Sequence, residues 1–278
     1  MRIRLLLASV LVLVVAATSC SNQPAPPKPG TAAFYWSAAR TTYHSGDFVK
    51  ASENLVQLIT TENEFTGRAR PWGLVVSAGL ARGYSDLADI YDAGAKANRQ
   101  NPTPFFKEAS ALRSAASAAA LEFTEGAHQF LGKNKDPNVT LAFEFPTGSA
   151  AEPPALKRIS GGILIQDSER DLLLKAMLQR GVVLSACEAL GSADDTAQAL
   201  EKLKTGEAQM PRNVFLFALA KTLQAQSELY GPKKLDKPDR AQTLLQVAQE
   251  SLKEVPETKQ SKELNGKVMA ALKKIKKG

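Results

Sequence analysis

The spacing of apolar side chains constrains this chain more than any other feature. From Thr31 onward, small and apolar residues recur three and four positions apart, and strand-like alternation is rare. Tyr35, Ala38, Ala39 and Thr42 form one such stripe, and Phe48, Ala51, Leu55, Leu58 and Ile59 form a second. Ser45-Gly46-Asp47 separates them; Gly46 suits a helix end and Asp47 suits the N-cap of the next helix. The pattern predicts two helices of about 12 residues joined as a hairpin. Further helical stretches are expected over residues 71–98, opening at Pro71-Trp72, and 104–131, opening at Thr103-Pro104. Another starts at Ser168-Glu169-Arg170-Asp171. Val214 begins one that ends at Gly231-Pro232, and Pro238 or Asp239 begins one that runs to Pro256.

One segment breaks the rule. Val139, Leu141, Phe143 and Phe145 alternate with a period of two, and Pro146, Gly148 and Pro153-Pro154 follow. Residues 137–166 therefore read as an extended insertion in a helical domain. Leu156 to Ile165 is the candidate partner strand of a hairpin. The insertion serves either as a plug over the edge of the helices or as a loop that contacts a partner.

The first hairpin resembles a tetratricopeptide repeat. Tyr35, Ala39, Gly46-Asp47-Phe48, Ala51 and Leu55 follow that family's order of large, small, Gly-Asp-aromatic, small and large residues. A second match is carried by Val183, Cys187, Leu190, Ala199, Leu203 and Pro211, with Asp194-Asp195 in place of Gly-Asp. A weaker unit starts at Val214, with a longer connection. The resemblance covers about half of the chain after the leader and implies an all-α, tetratricopeptide-like array of helical hairpins, an α-solenoid, over residues 32–278. It also implies binding of a protein or peptide on a concave surface.

The amino terminus carries a different signal. Arg2 and Arg4 precede an apolar run from Leu5 to Ala17, which is short for a membrane-spanning helix and of ordinary length for a signal peptide. The run ends in Ala17-Thr18-Ser19-Cys20. This resembles the lipobox of bacterial lipoproteins, although Leu is commoner where Ala17 stands. The resemblance implies cleavage after Ser19, acylation of Cys20 and anchoring in a bilayer. Residues 1–19 are then a signal peptide and 20–31 an acylated Cys with a Pro-rich tether. In a didermic host, Ser21 implies sorting to the outer membrane, facing the periplasm. Cleavage before Cys20 with a free thiol is the competing reading.

Charge follows the same division. The chain carries a formal +7. Arg2 and Arg4 account for two of these charges. Residues 262–278, with six Lys and one Glu, account for the other five. The rest is formally neutral, which argues against a nucleic-acid partner. In the tail, Leu264, Val268, Leu272 and Ile275 share a helical face, with Lys on the other. Such a helix either caps the last repeat or lies on anionic lipid.

Catalytic signals are weak. His44 and His128 lie in different helical segments, without partners at metal-ligand spacing. Cys187 occupies a small-residue site in a stripe, as a buried inert thiol would. Gly161-Gly162 is a turn, not a phosphate loop, and no nucleotide or hydrolase signature occurs. No enzyme activity, cofactor or metal is expected. Trp36, Trp72, Phe106, Phe143 and Phe145 are the candidate partner-binding residues, with core packing as the alternative for each. Function is expected to be that of a membrane-anchored envelope scaffold. Two rival readings stand beside it. The Ala- and Tyr-rich helix of residues 83–97 loosely resembles the T component of TRAP-type solute transporters. An envelope enzyme acting on peptidoglycan would need converging carboxylates, which the sequence does not offer.

Overall fold

The computed structural model describes residues 27–275, so the leader, Cys20 and the last three residues lie outside the described residues. The described chain is all-α apart from one two-stranded ladder.

Helix α1 (Ala32–His44) starts where Thr31 accepts a hydrogen bond from the Phe34 amide at 3.2 Å. Helix α2 (Phe48–Thr60) is capped by Asp47, which accepts from the Lys50 amide at 3.2 Å. Between them Gly46 takes φ +74°, a backbone region closed to most L residues. Ala39 and Ala51 are fully buried, so small side chains let the two helices approach.

Helices α3 (Thr66–Ala97) and α4 (Thr103–Lys133) are 32 and 31 residues long and pack along their lengths. At 1.5 Å per residue each spans about 47 Å. Helix α3 starts five residues before the expected Pro71. Asn63 organises the turn before it, donating to the Leu58 carbonyl at 2.7 Å and accepting from the Phe65 amide at 2.9 Å. Pro71 is then an interior residue, which costs the helix one backbone bond.

Strand β1 (Asn138–Leu141) pairs antiparallel with β2 (Ala208–Pro211), Val139 facing Met210. The expected hairpin with residues 156–165 does not form. That stretch holds helix α5 (Ala155–Ser160), closed by Gly161 and by Gly162 at φ +86°. Leu156 and Ile159, one helical turn apart, are buried. The α5 backbone reaches α3 at Gly94, where an added Cβ would stand 2.3 Å from the Ile159 carbonyl oxygen.

Helix α6 (Asp167–Ala189) crosses α3 at backbone contact. A Cβ on Gly181 would lie 2.2 Å from the Gly79 carbonyl oxygen, and one on Gly79 would lie 2.4 Å from the Val182 Cα. Helix α7 (Thr196–Lys202) is a short return, capped by Asp195. Helices α8 (Arg212–Ser227) and α9 (Pro238–Leu252) form the last pair, joined through a 3-10 turn at Glu228–Tyr230. Helix α10 (Lys259–Ile275) packs on both, burying Leu264, Val268 and Leu272. The expected helix pairs are thus present. Helix α3 touches α2, α4, α5, α6 and α8, so segments distant in sequence meet across it.

Arg212 ties three of these pieces together. Its guanidinium donates to Glu254 Oε2 at 2.8 Å and to the Asn134 carbonyl, and it lies over the Phe130 ring at 5.2 Å. Its amide donates to the Pro137 carbonyl at 2.8 Å, extending the ladder by one bond.

Candidate functional site

Most of the expected aromatic surface is core. Trp72 and Phe143 are 2% and 4% exposed and stack at 6.1 Å between centroids. Tyr43 meets both edge-on. Trp36 lies flat on Phe65 at 5.2 Å and edge-on to Trp72, while Phe145 packs half-buried against the main core. The segment after β1 lies over the α1–α3 aromatics, held by the Arg40–Glu144 ion pair at 3.1 Å. Trp72 and Phe143 are therefore unavailable to a partner, and Trp36 and Phe145 are half-buried. Burying Tyr43, Trp72 and Phe143 against one another removes more apolar area from water than a shallow groove would. Phe106, 51% exposed near the start of α4, stands apart from them.

The concave feature with an apolar floor lies elsewhere. Helix α8, helix α10 and the end of α6 frame a cleft of about 650 Å³. The helical period explains its lining. Phe215, Leu216, Leu219 and Leu223 turn into the core, which leaves Val214, Phe217 and Lys221 on the cleft side at i, i+3 and i+7. Leu264 of α10 and Val255 complete the floor. The rims carry Glu188 with Lys221, and Glu263 with Lys267. Lys221 Nζ stands 2.6 Å from Glu188 Oε1. The mouth is open, and Val214 is 39% exposed. An apolar floor with charged rims of both signs suits an amphipathic segment better than a small charged molecule.

A second, polar groove of about 360 Å³ continues from the first past Glu188 and Lys221. Its charges are matched in pairs: Lys234 with Asp89 at 2.8 Å, Arg180 with Asp86 at 3.3 Å and Arg82 with Asp194 at 3.9 Å. Burial raises the Asp86 carboxyl above its ordinary range, against the pull of Arg82 and Arg180. These pairs brace α3 against α6 and the α8–α9 connection.

The remaining candidates fall in separate places. His44 ends α1 and contacts Glu144, while His128 on α4 stands 3.9 Å from Glu250. Cys187 is fully buried, and burial, helped by Asp194 and Asp195, pushes its thiol up to about 11. Among the described residues no group of three or more His, Cys, Asp and Glu is placed to hold a metal ion. Among them, too, no helix is long and apolar enough to cross a membrane.

Sequence reasoning did not single out Val214, Phe217, Lys221, Glu188 or Leu264 as one site. That α8 occupies this stretch was readable; which of its apolar residues stay outside the core, and that α10 returns to face them, was not. Compared with models of protein families, with curated proteins and with solved structures, the chain matches none.

Proposed function

We propose that the chain is an envelope lipoprotein, held to a bilayer by acylated Cys20, whose helical hairpins form a tetratricopeptide-like array that binds a protein or peptide. The α8–α10 cleft is the seat of that partner. The open cleft, apolar along Val214, Phe217 and Leu264 and edged by charges of both signs, is the observation that carries the reading. The Gly46-Asp47 hairpin and the closely packed Ala39 and Ala51 support the repeat-like part of it. The Ala17-Thr18-Ser19-Cys20 sequence supports the anchor.

Two measurements test it. A photo-crosslinking residue at Val214, in cells of the native host, is expected to capture an envelope protein. Phe217→Asp is expected to abolish that capture while leaving the helical circular dichroism unchanged. Equal capture by the Phe217→Asp chain refutes the cleft as the site. Capture of a transporter subunit or a solute-binding protein overturns the scaffold reading in favour of a transport accessory. Metabolic labelling with a fatty-acid analogue is expected to mark the wild-type chain and not Cys20→Ala; equal labelling of the two removes the anchor.

A further inference from the structure

We propose that the outward face of α10 rests on an anionic membrane surface and sets the orientation of the whole domain against it. Five lysines, Lys259, Lys262, Lys267, Lys273 and Lys274, stand exposed on this 17-residue helix, against a single acidic residue, Glu263. Lys259, Lys262, Lys273 and Lys274 occupy the side away from the buried Leu264, Val268 and Leu272, and Lys267 stands at its flank, on the rim of the cleft. Lys262 is paired with Glu257 at 2.9 Å. Lys259, Lys267, Lys273 and Lys274 form no ion pair among the described residues, although ion pairs are common on the rest of the domain. The α10 face thus carries four positive charges along one helix without an ion-pair partner among the described residues.

The chemistry of the patch selects the partner. Its cations run along a helix of about 25 Å. Lysines are compact point charges, suited to a field of phosphate headgroups, whereas nucleic acid is typically read with Arg forks and stacked aromatics. Helix α10 has no Arg and no aromatic residue. Contact here is electrostatic, because the apolar face of α10 is already covered by protein. Since α10 is also one wall of the cleft, through Glu263, Leu264 and Lys267, the contact fixes which way the cleft faces. The inference rests on the envelope reading only for where such a surface is met.

Lysine acetylation of the full chain, read residue by residue by mass spectrometry, tests it. The chain is mixed with vesicles of phosphatidylcholine alone or with one third phosphatidylglycerol. On the anionic vesicles Lys259, Lys267, Lys273 and Lys274 are expected to react several-fold more slowly than on neutral ones, and 0.5 M salt is expected to remove the difference. Lys50 and Lys204, exposed on other elements, are expected to react equally on both. Each Lys→Gln change on α10 is expected to weaken the phosphatidylglycerol-dependent part of vesicle binding about fivefold. Equal reactivity of the four lysines on both vesicles overturns the proposal. So does protection by a single-stranded oligonucleotide without protection by phosphatidylglycerol. Failure of the anchor has a separate signature: Cys20→Ala and wild type then associate equally with neutral vesicles, while the difference between the two lipids at α10 persists.

Discussion

Gly181→Ala is the sharpest test of the α3–α6 crossing. In an exposed helix interior this change stabilises by about 1 kcal/mol, because Ala has the higher helix propensity. Here the new methyl would stand 2.2 Å from the Gly79 carbonyl oxygen, 2.9 Å from the Gly83 nitrogen and 3.1 Å from the Gly83 Cα. Carbon and oxygen prefer about 3.5 Å or more, so the helix axes must part by roughly 1 Å. No rotamer change relieves the clash, because the opposing atoms are backbone. Parting the helices loosens the neighbours of Val75, Val76, Leu178 and Val182, all of which are buried. Overpacking of this kind costs about 1–3 kcal/mol where side chains can yield, and more where they cannot. A net loss of about 3 kcal/mol is expected, which lowers Tm by about 10 °C for a domain of this size. Gly266→Ala on α10 is the matched control. Nothing lies within 4 Å of its added Cβ, so the propensity gain of about 1 kcal/mol should appear alone, as a rise in Tm. Thermal unfolding followed by circular dichroism reads both. A Gly181→Ala chain as stable as wild type would refute the close approach of α3 and α6.

Removing the Arg212 side chain breaks charge-assisted bonds to Glu254 and the Asn134 carbonyl, and Arg212→Ala is expected to cost about 3 kcal/mol in urea denaturation. Arg212 also holds the Glu254 carboxyl below its usual range. That contribution is therefore full above the ordinary glutamate value of about 4.3 and is lost as pH falls through the lowered native value. The stability gap between wild type and Arg212→Ala should narrow in acid; a gap that widens there contradicts the pairing. The Cys187 thiol, raised to about 11, is about one part in a thousand thiolate at pH 8. A thiol reagent should modify it only as fast as the domain opens, and reaction at the rate of a free cysteine would place it at the surface.

What the sequence disclosed and what it concealed differ in range. The α1–α2 turn was legible because its determinants are adjacent: Gly46 supplies the positive φ, Asp47 the cap, and the two stripes flank them. The buried face of α10 was legible from helical spacing, which put Leu264, Val268 and Leu272 on one side. The strand pairing was not. β1 shows clear alternation, but β2 is Ala-Gln-Met-Pro, which has no strand signature and pairs beside the point where the Arg212 amide bonds the Pro137 carbonyl. Gly161-Gly162, read as a turn within a candidate strand, instead closes α5, because a helix C-cap and a turn call for the same residue. The aromatics were misplaced by a related ambiguity. Periodicity says that Trp72 and Phe143 each belong to an apolar face, but not that the two faces cover each other.

The same gap explains why the cleft surfaced only in three dimensions. Val214 and Phe217 sit in the run Val214-Phe215-Leu216-Phe217, where every residue is apolar and nothing local marks which two stay outside the core. The choice is made by the core, which buries Phe215, Leu216, Leu219 and Leu223, and by α10, which approaches the other side without closing over it. A helix whose second apolar edge is met only part-way by its neighbour keeps an unfilled seam. Filling that seam with Ala193→Leu or Ala218→Leu should block a partner without touching a charge, whereas Lys221→Ala should leave the floor intact and weaken binding only modestly, as a rim charge does. Partner loss in the Lys221→Ala chain but not in the Ala218→Leu chain would move the site from the apolar cleft to the polar groove beside it.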